Sequence, residues 1–175
     1  MNEWFLIASA DKNWGIGLKN HLLARIPEDM KYVSDKTKGK VIVMGRKTLE
    51  SFPGGRPLPD RVNVVLTNNN RYIADRVIVV HSIKELTDAL RDYKGEIYVF
   101  GGESIYLQLL PLCRKAYITR FKEEFEADAH LPCFDSLGGW RLVYKGEWQT
   151  SRTGLLYQFT EYENTKPAKD NNMGG

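Results

Sequence analysis

The chain is short of cysteine. Its 175 residues include two, Cys113 and Cys133. Two thiols cannot build the disulfide framework of a small secreted domain, so a reducing, cytoplasmic setting is expected. No apolar run reaches the length of a bilayer span, which removes a membrane partner. The opening Met1-Asn2-Glu3-Trp4-Phe5 lacks the basic region and long apolar stretch of a secretory signal. Charge of one sign is also scarce. Lys and Arg total 25 against 22 for Asp and Glu, a formal net charge of +3. That excess is too small for a nucleic-acid binder, which needs a clustered basic face. It still leaves room for a local anion pocket. His21, His81 and His130 share no metal-ligand spacing with one another or with the cysteines, so no metal is expected. No Gly-x-Ser-x-Gly elbow is present, which leaves acyl chemistry without a nucleophile.

What is present is a soluble globular composition, with hydrophobic residues at 42% and charged residues at 27%. Short apolar runs recur at Trp4 to Ala8, Val41 to Met44, Val62 to Leu66, Val77 to Val80, Ile97 to Phe100 and Tyr117 to Phe121. They are β-branched or aromatic and mostly continuous, as in strands buried on both faces. Helix signals lie between them. Pro27-Glu28-Asp29 opens one helix, with Met30 and Val33 as an inward stripe and Gly39 as its stop. Gly45-Arg46-Lys47-Thr48 leads from a strand into a short helix ending near Phe52. Ser82-Ile83-Lys84-Glu85 reads as a capping box for a helix running to about Tyr93. Gly101-Gly102 precedes a fourth helix, which Pro111 ends. Leu142 to Trp148 and Leu155 to Tyr162 read as two antiparallel strands around the polar turn Ser151-Arg152-Thr153-Gly154. The predicted fold class is α/β. It is a single three-layer domain over residues 1–162, a mostly parallel mixed sheet of about eight strands with helices on both faces and a C-terminal antiparallel hairpin. Residues 163–175 read as a disordered polar tail, and a monomer is expected.

Four segments invite a chemical reading, and each also has a plain structural one. Asp29 is either a surface partner of the helix dipole or a carboxylate at the edge of an apolar pocket. In the second case it could grip an amidine-like N–H pair by two parallel hydrogen bonds. Gly45-Arg46-Lys47-Thr48 is either a basic turn or a phosphate cradle of helix-start N–H groups, two cations and a hydroxyl. Val99-Phe100-Gly101-Gly102-Glu103-Ser104 is either a tight packing turn or a point where a ligand approaches the backbone. Pro53-Gly54-Gly55-Arg56-Pro57-Leu58-Pro59-Asp60-Arg61 is either a rigid connection or a stiff loop holding Arg61 for a carboxylate. Two other likenesses fail. Gly15-Ile16-Gly17-Leu18-Lys19-Asn20 lacks the third glycine of a dinucleotide fingerprint, and Gly39 to Thr48 has the wrong spacing for a P-loop.

Taken in order, these segments resemble the dihydrofolate reductase family. The runs that carry the resemblance are Ile7-Ala8, Gly15-Ile16-Gly17, Ile26-Pro27-Glu28-Asp29-Met30, Val43-Met44-Gly45-Arg46-Lys47-Thr48, Arg56-Pro57-Leu58-Pro59-Asp60-Arg61 and Phe100-Gly101-Gly102. Tyr117-Ile118-Thr119-Arg120, Asp128-Ala129-His130-Leu131-Pro132 and Tyr157-Gln158-Phe159 continue it to about Tyr162.

The resemblance implies NADPH-dependent reduction of 7,8-dihydrofolate to tetrahydrofolate, with hydride going to pterin C6 and a proton to N5. It makes Asp29 the ionisable side chain facing the pterin, supported by Thr119. Ile7, Ala8, Met30, Val33, Phe52, Leu58 and Phe100 would wall the pterin and benzoyl rings, and Arg61 would pair with the glutamate α-carboxylate. On the cofactor side it implies Gly45, Arg46, Lys47 and Thr48 with Leu66, Thr67 and Asn68 for the adenosine phosphates, favouring NADPH over NADH. Gly101, Gly102, Glu103, Ser104, Ile105 and Tyr106 would take the pyrophosphate. Ala8, Ile16, Asn20, Leu22 and Phe100 would adjoin the nicotinamide half. A cis bond between the paired glycines is a trait of that family. Asp11 to Arg25 resemble its mobile loop, which Asp128 would help to order. Two positions depart from the pattern: Leu23-Ala24 stand where Pro-Trp is common, and Glu103 where a third glycine is frequent. A riboflavin-precursor NADPH reductase of the same fold would not need the Asp29 and Arg61 pair. A catalytically silent nucleotide-binding module would bind NADPH without oxidising it.

Overall fold

In the computed structural model, which describes residues 2–169, the first apolar run becomes β1 (Glu3–Ala10). The glycine-rich stretch after it forms β2 (Gly15–Leu18) and β3 (His21–Leu22). Next come α1 (Pro27–Thr37), β4 (Val41–Met44), α2 (Arg46–Ser51), β5 (Val62–Leu66) and β6 (Ile78–Val80). They are followed by α3 (Ile83–Ala89), β7 (Glu96–Gly101), α4 (Glu103–Leu109) and β8 (Lys115–Phe121). The last third holds β9 (Ala129–His130), β10 (Trp140–Lys145), β11 (Gln149–Thr150) and β12 (Leu156–Asn164). The main sheet has the order β10-β12-β8-β1-β7-β4-β5-β6, with β11 also paired to β12. From β8 to β6 all neighbours are parallel, while β12 is antiparallel to both β8 and β10.

Side chains alternate across a strand, and here both faces are covered. Trp4 and Leu6 of β1, Val41 and Val43 of β4, and Ile97 and Val99 of β7 pack with Leu86 of α3 and Ile105 and Leu109 of α4. Phe5, Ile7, Ile42, Met44 and Tyr98 face the other way, toward Tyr32 and Val33 of α1 and Leu49 of α2. Continuous apolar runs are therefore what this architecture requires. In such a sheet ligands gather at the carboxyl ends of the parallel strands. Those ends here carry Ala8 to Ala10, Gly45, Thr67 and the Gly101-Gly102 pair, which is joined by a cis peptide.

Several expectations need correcting. Helix α3 stops at Ala89 rather than Tyr93, because Leu90 turns into the core and the Tyr93 hydroxyl folds back to donate to Glu96 O at 3.2 Å. The first hairpin strand is broken into β10 and β11 at Gly146, whose backbone bonds Phe159 O and accepts from the Gln158 side chain. Strand β12 continues to Asn164, two residues past the expected end of the domain, since Asn164 is tied to Arg114 O and Cys113 O. Of the expected tail, residues 170–175 lie outside the described residues. Met30 is 54% exposed, so the inward stripe of α1 is Ile26, Asp29, Val33 and Thr37 instead. The three-stranded sheet β3-β2-β9 has no counterpart in the sequence reading; its strands are too short for periodicity to register. Cys113 is buried and Cys133 exposed, and they are not bonded. Among the described residues no helix is long and apolar enough to cross a membrane, and no cluster of His, Cys, Asp or Glu could hold a metal ion.

Candidate active site

A cleft of about 810 Å³ opens along the carboxyl ends of β1, β4, β5 and β7. That volume suits a large organic ligand or two. At one end stands Asp29, in the first turn of α1. Its neighbours at helical spacing, Ile26 and Val33, turn toward protein, which carries the carboxylate inward with them. Thr119 comes from β8, on the face of the sheet it shares with Tyr117, and donates its hydroxyl to Asp29 Oδ1 at 2.6 Å. Burial pushes the Asp29 carboxyl up to about 6; the Thr119 hydrogen bond opposes this and is the weaker effect. The result is an acid that titrates close to neutrality beside an apolar wall of Ile7, Ala8, Val33, Phe52 and Phe100.

The other end of the cleft gathers two helix starts. Helices α2 and α4 both start on it, after Gly45 and Gly102, and neither start has a side-chain cap. Their first backbone N–H groups have no partner within the helix and are left for an anion. The two turns are tied together by Gly45 N–H donating to Gly101 O at 2.8 Å. Gly101 has φ +105°, and a Cβ there would lie 2.7 Å from the Tyr106 ring, so no other residue fits. The Tyr106 hydroxyl lies 2.8 Å from the carbonyl oxygens of both Ile7 and Phe100, locking α4 to the ends of β1 and β7. Burial raises its pKa well above the ordinary tyrosine range, so it remains a hydrogen-bond donor.

Of the residues named from the sequence, Ile7, Ala8, Ile16, Asn20, Leu22, Asp29, Val33, Gly45, Arg46, Lys47, Thr48, Phe52, Leu66, Thr67, Asn68, Phe100, Gly102, Glu103, Ser104, Ile105 and Tyr106 line this cleft. Gly101 is buried under its floor, and Thr119 lies behind Asp29. Leu58, like Phe52 and Phe100, packs against the core cluster that contains Ile7, Met44 and Leu49. Met30 and Arg61 are not among the lining residues. Arg61 is held apart by Thr37 Oγ1 at 3.1 Å, Pro59 O at 2.8 Å and Ser34 Oγ at 3.0 Å. The guanidinium fork is thus fixed by Pro59 of its own loop and by Ser34 and Thr37 of α1. Arg46 is engaged with Glu50 at 2.8 Å, one turn along α2. Sequence reasoning missed Ser9, His21, Arg25, Ser51, Asn69 and Gln108, which also line the cleft. Ser9 and Asn69 each directly follow a named segment, and extending those segments by one residue would have found them.

The loop over the cleft is held in two ways. At its root the buried Asp11 carboxylate accepts from Asn13 N–H (2.9 Å), Gly15 N–H (2.8 Å) and, across the loop, Phe125 N–H (2.8 Å). Toward its tip, Asp128 accepts from Lys19 N–H at 3.0 Å, and its own N–H donates to Gly17 O. The tip bonds are few and exposed, as expected of a segment that opens cheaply.

The sequence profile of the family Dihydrofolate reductase matches residues 4–164. A dihydrofolate reductase of Bacillus subtilis (strain 168) is 36% identical over 164 residues, covering 93% of this chain and 95% of that protein. One from Staphylococcus haemolyticus is 41% identical over 127 residues, 73% of this chain and 75% of its own length. The solved structure of dihydrofolate reductase from Enterococcus faecalis, complexed with NADP(H) and RAB-propyl, superposes with a TM-score of 0.83 at 31% identity. That alignment covers 92% of this chain and 95% of the other.

Proposed function

Since this chain belongs to the dihydrofolate reductase family, we propose that Asp29 grips the pterin while the two capless helix starts hold the phosphates of NADPH. The enzyme is an NADPH-dependent oxidoreductase that reduces 7,8-dihydrofolate to 5,6,7,8-tetrahydrofolate. The observation that carries the residue-level reading is a carboxylate that is desolvated, bonded to Thr119, and set against an apolar wall at the opposite end of the cleft from the anion site.

NADPH, when bound, supplies the hydride. The protein supplies position and electrostatics. The ionised Asp29 carboxylate accepts from the pterin N3–H and 2-amino group with its two oxygens, and Thr119 also donates to Oδ1 and fixes the carboxylate's orientation. Its negative charge makes the conjugated ring more basic, so N5 takes a proton from water as C6 accepts the hydride. Ile7, Ala8, Val33, Phe52, Leu58 and Phe100 enclose the rings and exclude bulk water. Arg61, pre-set by Ser34, Thr37 and Pro59, pairs with the α-carboxylate of the glutamate. Ala8, Ile16, Asn20 and Leu22 border the nicotinamide half. Gly102, Ser104 and Ile105 would receive the pyrophosphate, and the Glu103 side chain would have to turn aside from it.

Arg46, Lys47, Thr48, Leu66, Thr67 and Asn68 hold the adenosine phosphates. To meet a 2′-phosphate, Arg46 exchanges Glu50 for the ligand, a small cost because the pair is exposed. Arg46→Ala is expected to raise the KM for NADPH about tenfold, the loss of one charge-assisted contact. The KM for NADH should not change. Steady-state assays with dihydrofolate and either cofactor check both statements; equal effects on the two cofactors would remove Arg46 from the 2′-phosphate site.

We further assign residues 1–164 to one catalytic domain acting as a monomer in a reducing, cytoplasmic setting, without a nucleic-acid partner. The unbonded cysteines and the near-balanced charge support this reading.

A further inference from the structure

The helix that presents Asp29 is poorly held at its own entrance. Its N-cap residue is Ile26, which has no side-chain acceptor, and Pro27 offers no N–H. The hold comes from across the fold. Ile26 is buried with Phe121, Leu155 and Tyr157. Glu28 reaches the turn between β11 and β12 with both carboxylate oxygens. Oε2 accepts from Ser151 Oγ at 2.7 Å, and Oε1 accepts from Arg152 N–H at 2.9 Å.

That turn is organised to make these bonds. Ser151 is 4% exposed. Its backbone N–H donates to Leu155 O at 2.8 Å, and its carbonyl accepts from Gly154 N–H at 2.9 Å. Its hydroxyl oxygen accepts from Thr153 N–H and Thr153 Oγ1, both at 3.2 Å, and so its one proton points at Glu28. The Arg152 N–H and the Ser151 hydroxyl hold the Glu28 carboxyl below its usual range, so it is ionised near neutrality. Asp29 is the next residue, one peptide away. Movement of the helix entrance therefore moves the acid.

We infer that Glu28 is a positioning residue: by bonding Ser151 and Arg152 of the C-terminal turn, it fixes the entrance of α1 and with it the place of the Asp29 carboxylate in the cleft. This rests on the role proposed for Asp29. Groups facing Glu28 are Ser151 and Arg152 on the turn and Tyr157 on β12. Turnover thus depends on a turn remote in sequence that lines no part of the cleft.

The test is a double-mutant cycle on the full-length enzyme with Glu28→Ala, Ser151→Ala and the pair, with Asp29→Asn beside them. Each single change is expected to lower kcat/KM for dihydrofolate about tenfold through displacement of the acid. The KM for NADPH should be unchanged, since the anion site lies at the other end. The limb of the pH profile governed by Asp29 should move to lower pH as water gains access to the carboxyl. The double variant should be no worse than the worse single, because both remove one link. Glu28→Gln, which keeps an accepting oxygen, should recover part of the loss. If Glu28→Ala does not fold, Ser151→Ala and Glu28→Gln carry the test. An unmoved pH profile, or losses that multiply in the double variant, would overturn the inference. Near-wild-type turnover in Asp29→Asn would instead overturn the reading of Asp29 itself, whatever the turn variants do.

Discussion

Asp29→Asn is expected to lower turnover at neutral pH by about 10²–10³-fold, the range for losing a group that assists proton transfer. Thr119 can still donate to the amide oxygen, so geometry is largely kept and the charge is what goes. An amide cannot raise the basicity of the bound ring, and its NH₂ group faces the pterin donors. The deficit should shrink on acidification, because protons from solution then substitute for the missing electrostatic help. The kcat/KM profile of the two enzymes from acid to alkaline pH checks this. Parallel profiles would mean that Asp29 does not act on protonation.

The same substitution should make the unliganded protein more stable. The folded pKa of Asp29 is about 6, above its unfolded value of 3.8. The native state therefore binds the proton more tightly than the unfolded chain does. Stability from this group is fully present below pH 3.8 and is lost as pH rises through 6. At pH 7 an ionised carboxylate sits in a place that disfavours it. Relieving this is worth about 1–2 kcal/mol, after allowing for water in the open cleft. Calorimetry should find Asp29→Asn more heat-resistant at neutral pH and level with the parent near pH 4.

Arg61→Met is expected to raise the KM for dihydrofolate about 30- to 150-fold, as for a charge-assisted bidentate pair of about 2–3 kcal/mol. Its kcat should change little, since a contact made equally in ground and transition states is uniform binding. The cofactor KM should not move. Because Arg61 also bonds Ser34, Thr37 and Pro59, some stability will be lost as well. A pterin substrate lacking the glutamate separates the two effects. It should be reduced equally well by both enzymes; an equal loss on that substrate would place the role of Arg61 in the scaffold.

The parallel core was legible because a sheet covered on both faces needs unbroken β-branched runs, and Val41 to Met44 and Val62 to Leu66 are such runs. The helix starts were legible through Pro27, Ser82 and the glycines. Met30 was misread because the inward position on α1 is taken by Asp29. An amphipathic pattern interrupted by its functional residue looks shifted by one. The end of α3 was misread because Leu90 is apolar and keeps the helical period while the chain has already turned. The Glu28 tether was invisible: nothing local marks a carboxylate that is satisfied by a turn more than a hundred residues away. Arg61 lies on a segment with clear Pro spacing, but its partners Ser34 and Thr37 sit on α1, and only the packing of loop on helix brings them together.

The most direct test is a crystal structure of this chain with folate and NADP⁺ bound. The account predicts both Asp29 carboxylate oxygens within hydrogen-bond distance of the pterin N3 and 2-amino group, Arg61 on the glutamate α-carboxylate, and nicotinamide stacked over the pterin. A pterin bound with Asp29 facing solvent, or turned so that another group meets its N3 edge, would contradict it.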